Sequence, residues 1–446
     1  MIKMAWGALR TRPVSFAGLA TALFLAVSVI TMFGSMVAAA TTTEGGSDLA
    51  LIGGAFGEIA MIMAMFVAVT TLGFAIRGQY RDLALLRTVA ATPRQVRRLV
   101  RFQVAGLILL VSPPAWAAGA VAARSFLSAL VDRGLAPAGA SVPGNPLPPL
   151  IATLATVLVG LLATVFATWR ISRGTPSAAM AGTSAETGRI GWFRTLLGLI
   201  VVGGVGVLCA FLVDQEPDEA AQAALLGALA SMVALALLGP LPARIVVTLL
   251  GLPLRLLRGG ESGGWLAAVN TRGHAHRLSS AVVPIALLVG LSTTFMVITD
   301  TIRHHMAGVL PDAVSDDDVW LRGVEVAMLA LFGTVATLNT LISLTTARKR
   351  EYALLTLIGA TKRQLVRMLA AESVLTALTG VVLGVAVAAP VSVAFALSLT
   401  DDPIPYVSMG DYAPILIGAV LLAVTAEMAA GLRTIALDPA TTVTAP

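Results

Sequence analysis

Ionisable side chains inside apolar runs are the first candidates for chemistry, because a charge in hydrocarbon is costly and normally serves a pathway or a partner. Glu427 sits within "LLAVTAEMAAGL", and Glu58 and Glu325 open the matched strings "EIAMIMAMF" and "EVAMLALFG". These three are the candidate intramembrane functional residues, with an interfacial position near the outer ends of spans 2 and 8 as the alternative for Glu58 and Glu325. His304 and His305 near Asp300 and Asp312, and the separate pair His274 and His276, would need further ligands to hold a metal. They read as solvated loop residues, so no metal site is expected. Cys209, the single cysteine, lies in "LIVVGGVGVLCAFLV" and reads as packing. No GxxxxGK[ST] string occurs, so this chain has no P-loop with which to cradle nucleotide phosphates. No nucleophile, base and orienting group can be placed together, and no catalytic residue or enzymatic activity is expected.

The elements that position these groups follow from composition. The 446 residues are 57% hydrophobic and 12% charged, with a mean hydropathy of +0.88, which is outside the balance of soluble domains and implies an all-α polytopic membrane protein. The net charge of +6 does not point to nucleic acid, since the basic residues fall between apolar spans and form no readout face. Ten stretches can cross a bilayer: 14–40, 52–76, 102–123, 148–169, 195–213, 221–239, 279–299, 323–346, 370–399 and 412–432. With the first terminus inside, 26 of the 30 Lys and Arg fall in inner segments, which predicts both termini to be cytoplasmic. The first run is about twice the usual 7 to 15 residues of a signal h-region, and "MVAAATTT" is therefore read as part of a retained helix.

Residues 81–100, "RDLALLRTVAATPRQVRRLV", align without a gap to 350–369, "REYALLTLIGATKRQLVRML", with 9 of 20 positions identical. The repeat extends outward through Glu58 and Glu325, and through "RISRGTPSAA" and "RTIALDPATT". Spans 1–4 and 7–10 then form two four-helix modules, residues 1–180 and 265–446, joined by residues 181–264 with spans 5 and 6. Six spans separate equivalent positions, an even number, so the two modules enter the membrane in the same orientation.

In the second copy Leu354, Leu355 and Ile358 share a helical face while Arg350 and Glu351 point elsewhere. Gly359 suits a helix C-terminus, and Thr361 with Gln364 forms a capping box that opens the next helix. The first copy repeats this with Thr92, Pro93 and Gln95. Each copy therefore predicts a short surface helix, a turn, and a new helix whose basic first turns oppose its own macrodipole. That basicity fits anionic lipid headgroups or an acidic partner. Anchoring alone needs charge, but it does not need a defined turn twice.

The strings "ARKREYALLTLIGATKRQLVRMLAAESVL" and "LRTIALDPATTV" resemble the C-terminal four-helix module of the FtsX-like, or MacB-type, ABC transporter permeases. The copies at 81–100 and "WRISRGTPSAAM" suggest a second, diverged module, and the ten-span layout is similar to permeases of bacitracin-type resistance systems. It departs from those in offering only residues 300–321 between spans 7 and 8, where they carry a large extracellular domain. The resemblance implies a bacterial plasma-membrane permease whose partner is a cytoplasmic ABC ATPase, working as a dimer that itself binds ATP and Mg. It implies ATPase contact through Arg81, Asp82, Leu85, Leu86, Ala91 and Thr92, and through Arg350, Glu351, Leu354, Leu355, Gly359, Ala360 and Thr361. The expected activity is export or extraction of an amphiphilic, lipid- or peptide-like substrate, or transmission of force across the membrane. One alternative is an ion-coupled secondary transporter, which would place midplane ionisable residues on helices broken at Pro284 and Pro390. Another is a non-transporting regulator of a cell-envelope enzyme.

Overall fold

The computed structural model describes residues 13–78, 85–86, 92–173, 191–215, 217–253, 263–307, 315–400 and 402–438. Among them the regular structure is entirely helical. The chain divides into two compact units, Met1–Ala185 and Glu186–Pro446.

The first unit holds α1 (Pro13–Thr42), α2 (Ser47–Gly78), α3 (Pro93–Asp132) and α4 (Leu147–Arg173). α1 packs against the other three. Phe16, Leu19, Leu23, Leu72, Ile76 and Val96 form the core at the end where α3 begins. Phe33, Phe56 and Phe126 meet farther along the bundle, with ring centroids 5.5 to 6.0 Å apart. α3 has 40 residues, so it is roughly 60 Å long and exceeds the bilayer core at both ends. Its expected span, 102–123, was shorter because polar turns flank the apolar run. The helix runs on through Pro113 and Pro114 and ends just before Gly134, whose φ is 76°.

The second unit contains α5 (Trp192–Leu212), α6 (Pro217–Leu238), α7 (Pro240–Leu250), α8 (Gly263–Gly273), α9 (Ala275–Ala307), α10 (Asp316–Ala347), α11 (Lys349–Leu357), α12 (Lys362–Thr400) and α13 (Met409–Ile435). α9 is its central helix, buried along nearly all of its apolar length. α9 and α12 approach closely because Gly380 and Gly384 face Ile285 and Val289, where a β-carbon would come within 2.6 and 2.8 Å. The small-residue spacing in span 9 therefore serves core packing. α5 and α6 also pack on α12, and α6 packs on α9, so the joining spans lie within the second unit.

Nine helices of the described residues are long and apolar enough to span a membrane, and a tenth follows if α6 and α7 count as one bent span. Their axes turn by 83° at the break. Pro240 has no N–H for the end of α6. Arg194 supplies the missing donors, its Nη2 reaching the Ala236 carbonyl at 2.6 Å and its Nε that of Leu237 at 2.8 Å. By contrast α9 and α12 run unbroken through Pro284 and Pro390. The broken helices that the ion-coupled alternative requires at those prolines are not formed.

Candidate functional site

The repeated segment folds as an elbow in the second unit. α10 ends at Ala347, Arg348 makes the joint, and α11 follows at once. At its far end the N–H of Ala360 bonds the Leu355 carbonyl at 3.0 Å and that of Gly359 bonds Thr356 at 3.1 Å. This paired closure needs the left-handed backbone that Gly359 supplies with φ 103°. Thr361 then caps α12. Its N–H donates to Gln364 Oε1 at 2.9 Å, and the Gln364 N–H donates back to Thr361 Oγ1 at 3.3 Å.

In the first unit the same reciprocal pair joins Thr92 and Gln95 at 2.8 and 3.3 Å. Arg81, Asp82 and Ala91 lie outside the described residues. Leu85 is 44% exposed and its counterpart Leu354 is 49% exposed. Leu86 packs on the Phe16 cluster, as Leu355 packs with Tyr352, Leu365 and Leu369. The two copies thus turn one leucine outward and one inward in the same order.

This corrects the expected face of α11. Leu354, Leu355 and Ile358 do not act together, because the side that packs inward carries Tyr352 and Ala353, with Leu355 beside them. Ile358, at 81% exposure, points away with Leu354 and Leu357. The physical reason is tertiary packing: Tyr352, 1% exposed, and Leu355 meet Leu365, Met368 and Leu369 of α12 and Ala267 of α8, and the Arg348 guanidinium lies 4.8 Å from the Tyr352 ring centroid.

Behind the elbow is a buried charge cluster. Arg348 reaches Glu351 with a two-pronged contact, Nε to Oε2 at 3.0 Å and Nη2 to Oε1 at 2.9 Å. It also pairs with Glu372 on α12 through Nη1. Glu372, only 1% exposed, accepts from Asn270 Nδ2 of α8 at 2.6 Å. Glu351 pairs further with Arg277 of α9 at 3.3 Å. Five consecutive elements of the unit therefore converge on two carboxylates and one guanidinium fork. A cavity of about 40 Å³ adjoins the cluster, lined by Glu372, Arg348, Arg277 and Glu427 of α13.

The three candidate acids have separate fates. Glu427 is 7% exposed and its Oε2 has no hydrogen-bond partner. Glu325 is buried but paired with Arg322 one turn earlier, at 2.8 Å. Glu58, its repeat counterpart, is exposed. His304 stacks on Tyr406 with centroids 4.0 Å apart. Among the described residues no three His, Cys, Asp or Glu side chains converge to hold a metal.

Nothing in local patterning singles out Arg348, Glu372, Asn270 or Arg277. One signal does point there, since Glu372 and Gln103 are polar residues at matched positions, 11 residues after the cap threonines, in otherwise apolar spans.

A family model described as the FtsX-like permease C-terminal domain matches the chain twice, over residues 54–176 and 323–439, which together exceed half its length. The chain belongs to the FtsX-like permease family. Each match runs from the second helix of a repeat through its elbow to the end of the fourth. This FtsX-like permease is accordingly a multi-pass membrane protein of the ABC transporter permease type. α5 to α9, including Asn270 and Arg277, fall outside both matches. No curated protein matches the permease.

Proposed function

We propose that this permease is the transmembrane subunit that couples ATP hydrolysis by a separate cytoplasmic ATPase to extraction or export of an amphiphilic substrate, or to force transmission across the membrane. The observation that carries the reading is the duplicated elbow. Two caps of the same geometry each present an outward leucine, Leu85 and Leu354, beside basic turns. An ATPase dimer that binds ATP and Mg would meet one elbow per subunit. The concentration of Lys and Arg at the elbow end supports a cytoplasmic position for that end and for both termini.

The charge cluster supplies a mechanical path. Force on α11 reaches Glu351, passes through Arg348 to Glu372, and so enters the 39-residue α12. Arg277 carries it in parallel to the central helix α9. A charged fork resists shear better than an apolar contact does, because its hydrogen bonds are directional.

Copurification tests this reading. The full permease, expressed with an ATPase encoded beside it, should bring that ATPase down, and Leu354→Asp together with Leu85→Asp should abolish the complex without lowering permease yield. Transport driven by an ion gradient alone, with no ATPase present, would overturn it.

A further inference from the structure

The charge cluster behind the elbow does not balance. Glu351, Glu372 and Glu427 supply three carboxylates, while Arg348 and Arg277 are the two guanidinium groups that meet them. Both of those cations are already engaged by Glu351 and Glu372, and Glu427 keeps an unpartnered, almost fully buried oxygen beside the cavity. A buried carboxylate without a partner is strongly disfavoured, so a compensating positive charge is required.

Several groups of the lining accept rather than donate. The hydroxyls of Thr271 and Thr376 donate to the carbonyls of Ala267 and Glu372 at 2.8 and 2.9 Å. With their hydrogens spent on their own helices, they offer the cavity lone pairs only. Arg348 likewise directs its Nε, Nη1 and Nη2 at carboxylates. The threonine lone pairs and the unpartnered Glu427 oxygen therefore present acceptors to a cation. A volume of about 40 Å³ admits a bare or singly hydrated ion, since one water occupies roughly 10–15 Å³ on this measure. His274 lines the same cavity and is exposed, which gives the ion a route from solvent.

We propose that the cavity beside Glu427 is a binding site for one monovalent positive charge, delivered as a proton or as an alkali-metal ion. As a proton, it arrives on hydronium, forms an O–H bond at Glu427 Oε2 and leaves a water behind. As an alkali ion, it is held by Glu427, Glu372 and the threonine oxygens with no covalent change.

The groups facing Glu427 are Arg277 from α9, Arg348 at the end of α10, Glu351 and Tyr352 from α11, Glu372 from α12, and His274 at the rim. When the site is loaded, Arg348 is left to Glu372 and Glu351 and holds α11 in place. When it is unloaded, Glu427 competes for Arg348 and the hold on α11 slackens. The first unit has Gln103 in place of Glu372 and, in the register of Arg170 and Arg433, Thr164 in place of Glu427. The site is therefore specific to the second repeat. It stands on the geometry of that unit alone and does not depend on what docks on α11.

Thermal melting of the full-length permease in detergent tests this. At fixed pH and ionic strength, exchanging N-methylglucamine for sodium or potassium reads the alkali ion. At fixed salt, a pH series with the infrared band of a protonated carboxyl reads the proton. The native protein should gain a few degrees on loading in one of these arms, while Glu427→Gln, neutral and of the same shape, should melt near the loaded temperature and lose that response. If Glu427→Gln does not fold, the native protein decides the matter alone. Absence of both an alkali-ion response and a protonated-carboxyl band would overturn the proposal, as would identical titrations of native and Glu427→Gln protein.

Discussion

Glu372 on α12 and Gln103 on α3 occupy the same position in the two repeats, each 11 residues beyond its cap threonine and each buried, at 1% and 3% exposure. Glu372 is tied to Arg348 and Asn270, whereas Gln103 Oε1 has no hydrogen-bond partner. Duplication has preserved the place of a polar group while only one copy built a charge cluster around it. The two copies are alike in their helix caps and unlike in what stands behind them.

That asymmetry predicts opposite effects of equivalent substitutions. Glu372→Ala strands the buried Arg348 with Glu351 alone and should cost about 3–5 kcal/mol. Gln103→Met removes an unsatisfied acceptor and should be neutral or stabilising. Melting curves of the two purified variants make the comparison, and equal losses would show that the cluster has no special weight.

The caps should matter locally. Thr361→Ala and Thr92→Ala each remove the hydroxyl that accepts from the Gln364 or Gln95 N–H, leave the backbone half of the pair in place, and should cost about 1 kcal/mol. Hydrogen exchange should quicken over the first turn of α12 or α3 respectively, with the remainder of each helix unchanged. Gly359→Ala forces a side chain onto φ 103°, which should cost on the order of 1–2 kcal/mol and quicken exchange in α11.

The face of α11 can be read by paired substitutions. Leu355→Asp puts a charge into the Tyr352, Leu365 and Leu369 cluster and should reduce folded yield sharply. Ile358→Asp, on the exposed side, should leave melting within about 0.5 kcal/mol of native yet lower the ATPase stimulation measured with the partner subunit. If both variants fold equally well, the assigned face is wrong.

Glycine positions in the second unit separate close packing from helix propensity. Gly380→Ala would bring a β-carbon to 2.6 Å from Ile285, while a β-carbon at Gly418 meets nothing within 4 Å. The first change should destabilise by about 1–3 kcal/mol through overpacking. The second should be neutral, or stabilising by up to about 1 kcal/mol. Thermal melting distinguishes them.

Helical class, the apolar spans, both helix caps and the turn at Gly359 were legible in the sequence, because each depends on groups close together in the chain. A span is a continuous apolar run, and the caps join residues three apart, Thr92 with Gln95 and Thr361 with Gln364. Gly359 announces its own backbone requirement. The sixth span was legible as apolar but not as bent, since its break is stabilised by Arg194, more than 40 residues away in the chain.

The charge cluster and the outward side of α11 were decided only by tertiary structure. Asn270 and Glu372 are 102 residues apart, and Arg277 and Glu351 are separated by 74. Their meeting depends on α8, α9 and α12 packing at one end of a bundle, which no local pattern encodes. The leucines of α11 allow either side to face inward, and the choice is made where Tyr352 and Leu355 pack on Leu365, Met368 and Leu369 of α12. The sequence alone determined that the elbow motif occurs twice, whereas only packing decided which copy has buried charge behind it and which of its leucines remain for a partner.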